Sequence, residues 1–131
     1  MKENNGFTII EITVVIAIIG ILASMTLRYD NLYVKRAKDS AIKENLESLF
    51  SESFVYLSSH GNYGAFCNNF VVTRVLNQLN PENEYCHHSD TEWVVCSRLY
   101  EDKTKAWCVD STGFKGEIDD EKCEKGISVC P

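Results

Sequence analysis

The residues of this chain with the most chemistry open to them are six cysteines: Cys67, Cys86, Cys96, Cys108, Cys123 and Cys130. No C-x-x-C pair occurs among them, so zinc binding and thioredoxin-like exchange are not expected. They fall in residues 60–131, a stretch too short to build a core worth more than a few kcal/mol. Disulfides formed in an oxidising compartment are the expected remedy, with free buried thiols the alternative. Six cysteines allow 15 connectivities. Cys96 and Cys108 are equidistant from Asp102, the middle of a plausible hairpin loop. A symmetric hairpin sets their Cα atoms roughly 4.5–5.5 Å apart, within disulfide range. Cys123 and Cys130 then close the short loop 124–129, which leaves Cys67 with Cys86.

Other candidate chemistry is thin. His60, His87 and His88 suggest a metal site by type only. The adjacent rings of His87 and His88 diverge on regular structure, so solvated histidines are the expectation. The acidic run Glu117, Asp119, Asp120, Glu121 and Glu124 offers oxygen ligands, but its spacing matches no EF-hand loop. It reads as a solvated acidic loop, and no metal or cofactor is expected. There is no glycine-rich phosphate loop and no legible nucleophile–base arrangement, so the chain is not expected to be an enzyme. The net charge of −6 offers no electrostatic footprint for nucleic acid.

One further titratable residue stands out by its setting. Glu11 is the only charge in Phe7–Leu27, FTIIEITVVIAIIGILASMTL. As a helix this stretch measures about 31 Å, matching a hydrocarbon core of roughly 30 Å. A domain this small has no interior able to bury such a helix on all sides. A secretory signal peptide places its small residue after the apolar run. Here Gly6 precedes the run, so cutting after Gly6 keeps the anchor and exposes Phe7 as a new terminus. A carboxylate at bilayer depth costs about 2.5–3.5 kcal/mol on insertion scales and normally has a partner. The nearest cation within the chain is the amine that such a cut creates, four residues from Glu11.

Gly6-Phe7-Thr8-Ile9-Ile10-Glu11 followed by an apolar helix resembles the precursor motif of type IV pilins and pseudopilins. The resemblance implies that a prepilin peptidase cuts between Gly6 and Phe7 and N-methylates Phe7. It also implies that Glu11, fifth in the mature chain, meets the Phe7 amine of a neighbouring subunit and sets axial register. Many pilins carry a proline where Arg28 stands here. The segment WCVDSTG is similar to one in the heads of many bacterial pilin-like proteins.

These residues need elements to hold them. Residues 28–59 lack proline, and apolar residues recur from Val34 through Ala37, Ala41, Ile42, Leu46, Leu49, Phe50, Phe54 and Leu57. One helix from Phe7 to Ser59 is expected, stopped by His60-Gly61-Asn62, with a hinge near 28–31 as the alternative. A short helix is predicted over Val71–Leu79, ended by Asn80-Pro81. Strands are predicted at Glu92–Leu99, Lys105–Asp110 and Phe114–Ile118, with a type I turn at Asp110–Gly113. The fold class is α+β: a long N-terminal helix whose second half packs a small antiparallel sheet. The expected divisions are a leader, 1–6; the helix, 7–59, with 7–27 in the membrane; and a disulfide-rich head, 60–131. Cations flank both ends of the apolar run, Lys2 before it and Arg28, Lys35, Arg36 and Lys38 after it. Flank charge alone places the head in the cytoplasm. The cysteines and the leader motif place it outside.

Three function classes follow. The first is a pilin of a type IV pilus-like filament, partnered by other copies, a prepilin peptidase, an inner-membrane assembly platform and membrane lipid. The second is a pseudopilin of a type II secretion or DNA-uptake apparatus. The third is a membrane-anchored binding domain that never polymerises.

Overall fold

The computed structural model describes residues 6–26, 31–79, 84–124 and 126–131. It divides into two compact units, Met1–Val34 and Lys35–Pro131. The leader residues 1–5, Arg28 and the Asn80-Pro81 helix stop lie outside the described residues.

The first unit contains helix α1, Ile9–Thr26, and the first residues of helix α2, Asn31–His60. The helix expected from Phe7 to Ser59 is described as α1 and α2, with the hinge alternative near 28–31 falling largely outside the described residues, and it starts at Ile9 rather than Phe7. Gly6, Phe7 and Thr8 are not helical. α1 is built of β-branched and small apolar residues, and every side chain described in it is exposed. The hydroxyls of Thr13 and Ser24 turn inward on its own backbone: Thr13 Oγ1 donates to Ile10 O at 2.9 Å and Ser24 Oγ to Ile21 O at 2.7 Å. These bonds remove the polar groups from an otherwise apolar cylinder. At 18 residues α1 is about 27 Å long, just under a hydrocarbon core of roughly 30 Å. Among the described residues no helix is long and apolar enough to cross a membrane.

The second unit is α+β. Its buried α2 residues are Asp39, Ile42, Leu46, Leu49, Ser53 and Tyr56, alternating in steps of three and four. This corrects the expected stripe: Val34, Ala37, Ala41 and Phe54 are exposed, while Asp39 and Ser53 are inside. Ser53 is accommodated because its hydroxyl donates to Phe50 O at 2.7 Å. Gly61, at φ +78°, ends α2 by donating to Leu57 O at 2.8 Å.

A 3-10 turn, Phe66–Asn68, and helix α3, Phe70–Leu76, follow. α3 is displaced from the expected Val71–Leu79 because Asn69 caps it, accepting from Val71 N at 2.7 Å. Four strands then form an antiparallel meander: β1 Glu84–His88, β2 Trp93–Arg98, β3 Lys105–Asp110 and β4 Lys115–Asp119. β1 was not expected from sequence. The register of β2 with β3 places Cys96 opposite Cys108.

The sheet has two covered faces. On the inner face Trp93, Val95, Leu99 and Val109 join Ile42, Leu46, Leu49 and Tyr56 of α2, with Phe66, Val72 and Leu79. Burying each large side chain contributes roughly 1.5–3 kcal/mol. On the outer face Val94, Cys96, Ala106, Cys108 and Ile118 are covered by Tyr85 and the C-terminal segment, through Cys123, Ile127 and Cys130.

The three disulfides follow this division. Cys67–Cys86 lies on the inner side, with Cα atoms 5.9 Å apart. The other two are Cys96–Cys123 and Cys108–Cys130, at 5.9 and 6.0 Å. The expected Cys96–Cys108 and Cys123–Cys130 bonds are therefore not those present. Cys96 and Cys108 do face each other, but each turns to the segment lying over the sheet. Hairpin symmetry carries no information about that cover.

Candidate processing and assembly site

The N-terminal residues singled out by type are gathered at the start of α1. The Gly6–Phe7 peptide bond lies outside the helix, two residues before Ile9, and both residues are exposed. A peptide bond in this state has no helical hydrogen bonds to break before a peptidase takes it up.

The helix start is fixed by a reciprocal cap. Glu11 N donates to Thr8 Oγ1 at 3.3 Å. In return Thr8 N and Thr8 Oγ1 each donate to Glu11 Oε2 at 2.8 Å. This is a capping box, and it satisfies two backbone donors that a helix start otherwise leaves free. The carboxylate also sits at the positive end of the helix dipole. Glu11 is thus engaged within its own chain, through the uncharged Thr8. The signal was present in the sequence as Thr-x-x-Glu ahead of an apolar run.

The remaining candidates are dispersed. The imidazole Nδ1 of His60 lies 3.1 Å from Tyr56 O, and its ring stacks on Tyr56 with centroids 4.1 Å apart. His87 is exposed, and His88 is half-buried. Two members of the acidic run, Asp119 and Asp120, are held by cations. Asp119 accepts from Lys105 Nζ at 2.7 Å, which holds its carboxyl below the usual range and pushes the lysine up. Asp120 is paired with Arg98. Among the described residues no group of three or more His, Cys, Asp or Glu side chains is arranged to hold a metal ion.

The sequence did not reveal that two aspartates are buried, Asp39 and Asp110. Asp39 accepts from Tyr100 N at 2.6 Å and Glu101 N at 3.0 Å, docking the β2–β3 loop on α2. Asp110 opens the expected turn, closed by Gly113 N donating to Asp110 O at 3.2 Å.

Comparison with known proteins now bears on the N-terminal site. Residues 1–27 match the prokaryotic N-terminal methylation motif, the span that contains Gly6, Phe7, Thr8 and Glu11. The chain is also 38% identical over 66 residues to the type IV major pilin protein PilA of Myxococcus xanthus (strain DK1622). The chain is thus similar to type IV pilins. The match to PilA covers 50% of this chain and 30% of that protein, so the chain spans under a third of its relative's length. No solved structure matches. The pilin-like assignment rests on the N-terminal motif and the PilA match, and the α+β head with three disulfides is compatible with it.

Proposed function

We propose that this chain is a structural subunit of a type IV pilus-like extracellular filament, made as a membrane-anchored precursor. A prepilin peptidase removes residues 1–6 by cutting between Gly6 and Phe7, and the new Phe7 amine is N-methylated. The observation that carries this reading is the placement of the Gly6–Phe7 bond: exposed, non-helical, and directly ahead of a capped apolar helix. In this reading residues 7–27 anchor the precursor, with the head, 60–131, held outside the cytoplasm. The exposed apolar surface of α1 then passes from lipid to the α1 helices of other copies. An inner-membrane assembly platform makes that transfer. Glu11 receives the Phe7 amine of a neighbouring subunit, which fixes axial register. The likeness to a major pilin favours a pilus over the pseudopilin filament of a secretion apparatus.

Intact mass and N-terminal analysis of protein recovered from cells tests the pathway. The expected chain begins at N-methylated Phe7. A chain still beginning at Met1 overturns the proposal in favour of an uncleaved membrane-tethered domain. Glu11→Ala is expected to insert and be cleaved normally but to lose filaments by electron microscopy. Normal filaments from that variant would remove the pairing with the Phe7 amine. A bulky residue in place of Gly6, as in Gly6→Val, is expected to leave the precursor mass unchanged.

A further inference from the structure

The sheet sorts the six cysteines by face. Cys86 packs with the inner core, where Cys67 meets it. Cys96, Cys108, Cys123 and Cys130 all lie in the outer cluster. Four cysteines sharing one face have three possible pairings. The one present joins each strand cysteine to the C-terminal segment.

A competing pairing is nearer in the chain. Cys96 and Cys108 are directly opposed in the β2–β3 register. Opposed Cα atoms in an antiparallel pair are roughly 4.5–5.5 Å apart, inside the range of about 4.4–6.8 Å that a disulfide spans. These two cysteines are 12 residues apart, whereas the bonds present span 27 and 22. Loop-closure statistics alone favour the 12-residue closure over the 27-residue one by about three-fold. Hairpins form in roughly 1–10 μs, so the opposed pair is also assembled early. The described residues of the C-terminal segment, by contrast, pair with no strand. Gly126 N donating to Tyr85 Oη at 3.1 Å and Cys130 N to Asp110 Oδ2 at 2.8 Å need the sheet first.

We propose that on oxidation Cys96 first bonds Cys108 rather than Cys123, and that the bonds present arise from Cys96–Cys108 by thiol–disulfide exchange on the outer face. The maturing chain is therefore a substrate for a partner of the thiol–disulfide isomerase class. In the first step an external disulfide accepts two electrons and two protons from the Cys96 and Cys108 thiols and becomes two thiols. The Cys123 thiolate then attacks Cys96 Sγ. The Cys96–Cys108 bond breaks, Cys96–Cys123 forms, and Cys108 leaves as the thiolate, with no net oxidation. A second external disulfide then oxidises Cys108 with Cys130. Where Cys123–Cys130 has closed first, neither holds a thiolate. An external thiolate must then open one bond, and it is released unchanged when the last exchange is complete. That step is the isomerase's part.

The test uses the full chain, reduced and unfolded, then diluted into detergent with reduced and oxidised glutathione. Samples are quenched in acid, alkylated, and mapped by mass spectrometry. The expected early product is the Cys96–Cys108 bond, about three-fold above Cys96–Cys123 and giving way to it. Added disulfide isomerase should shorten that lag. Appearance of Cys96–Cys123 and Cys108–Cys130 with no Cys96–Cys108 at any time overturns the proposal. The double variant Cys108→Ser, Cys130→Ser removes the competitor for Cys96. Its Cys96–Cys123 bond should close sooner than in the unaltered chain, and an equal time course would also overturn the proposal.

Discussion

Asp110 is fully buried, and both its carboxyl oxygens accept hydrogen bonds. Oδ1 accepts from Thr112 N, Thr112 Oγ1 and Phe114 N at 2.9, 2.6 and 3.2 Å, and Oδ2 from Cys130 N at 2.8 Å. Asp110→Ala leaves those donors without a partner and is expected to cost on the order of 3 kcal/mol in urea denaturation of the oxidised protein. A loss under about 1 kcal/mol would mean that other acceptors replace the carboxylate. Glu84 works in the opposite direction. Burial pushes its carboxyl up, and among the described residues Oε2 has no hydrogen-bond partner. A carboxyl raised on folding contributes stability that is full below the usual glutamate range and is lost as pH rises through the folded value. Glu84→Gln is therefore expected to raise the melting temperature at pH 7 and to change nothing in acid. Asp119 has the reverse sign. Its lowered carboxyl contributes above the usual aspartate range, and that contribution is lost as pH falls through the folded value. Asp119→Asn should thus matter at neutral pH only, and modestly, because the pair with Lys105 is exposed.

Among the elements, α2 contributes the inner core and the β3–β4 turn fixes the edge of the sheet. Leu46 is fully buried between α2 and the sheet. Leu46→Ala is expected to cost about 2–5 kcal/mol, read from the same urea series. Gly113 sits at φ +94°, a conformation side chains rarely adopt, while the space beside it is ordinary contact with Phe50. Gly113→Ala should therefore destabilise through the backbone rather than by a clash, by about 1 kcal/mol. The β2–β3 hairpin was legible because two runs rich in Trp and Val flank a polar loop of suitable length. β1 was not, because Glu84-Tyr85-Cys86-His87-His88 lacks alternation, and it is a strand only because β2 offers it an edge. The apolar stripe of α2 was legible through Ile42, Leu46 and Leu49. Its polar members were not, because Asp39 is buried by contacts from a loop 61 residues away in sequence. At the N-terminus Gly6, Phe7 and Glu11 stand out by type, whereas Thr8 does not, because an uncharged hydroxyl shows its capping role only through its spacing from Glu11.

At the scale of the molecule, two surfaces of different character are carried by one chain. α1 exposes apolar residues all round, whereas the unit from Lys35 onward has its own core and three disulfides. A chain lacking residues 1–30 is expected to stay folded and monomeric by circular dichroism and size exclusion without detergent, while the full chain needs detergent. The position of the cysteines has a mechanical consequence. All six follow His60, so no covalent bond ties α2 to the sheet other than the chain through Gly61. Under tension along α2 the yielding element is the contact of that helix with the sheet, held by Leu46, Leu49 and the Asp39 clamp. Once it parts, the crosslinks from Cys67 onward stop further extension. The sheet then acts as a knot that does not unravel, and the slack available under load is limited to the short connection after α2.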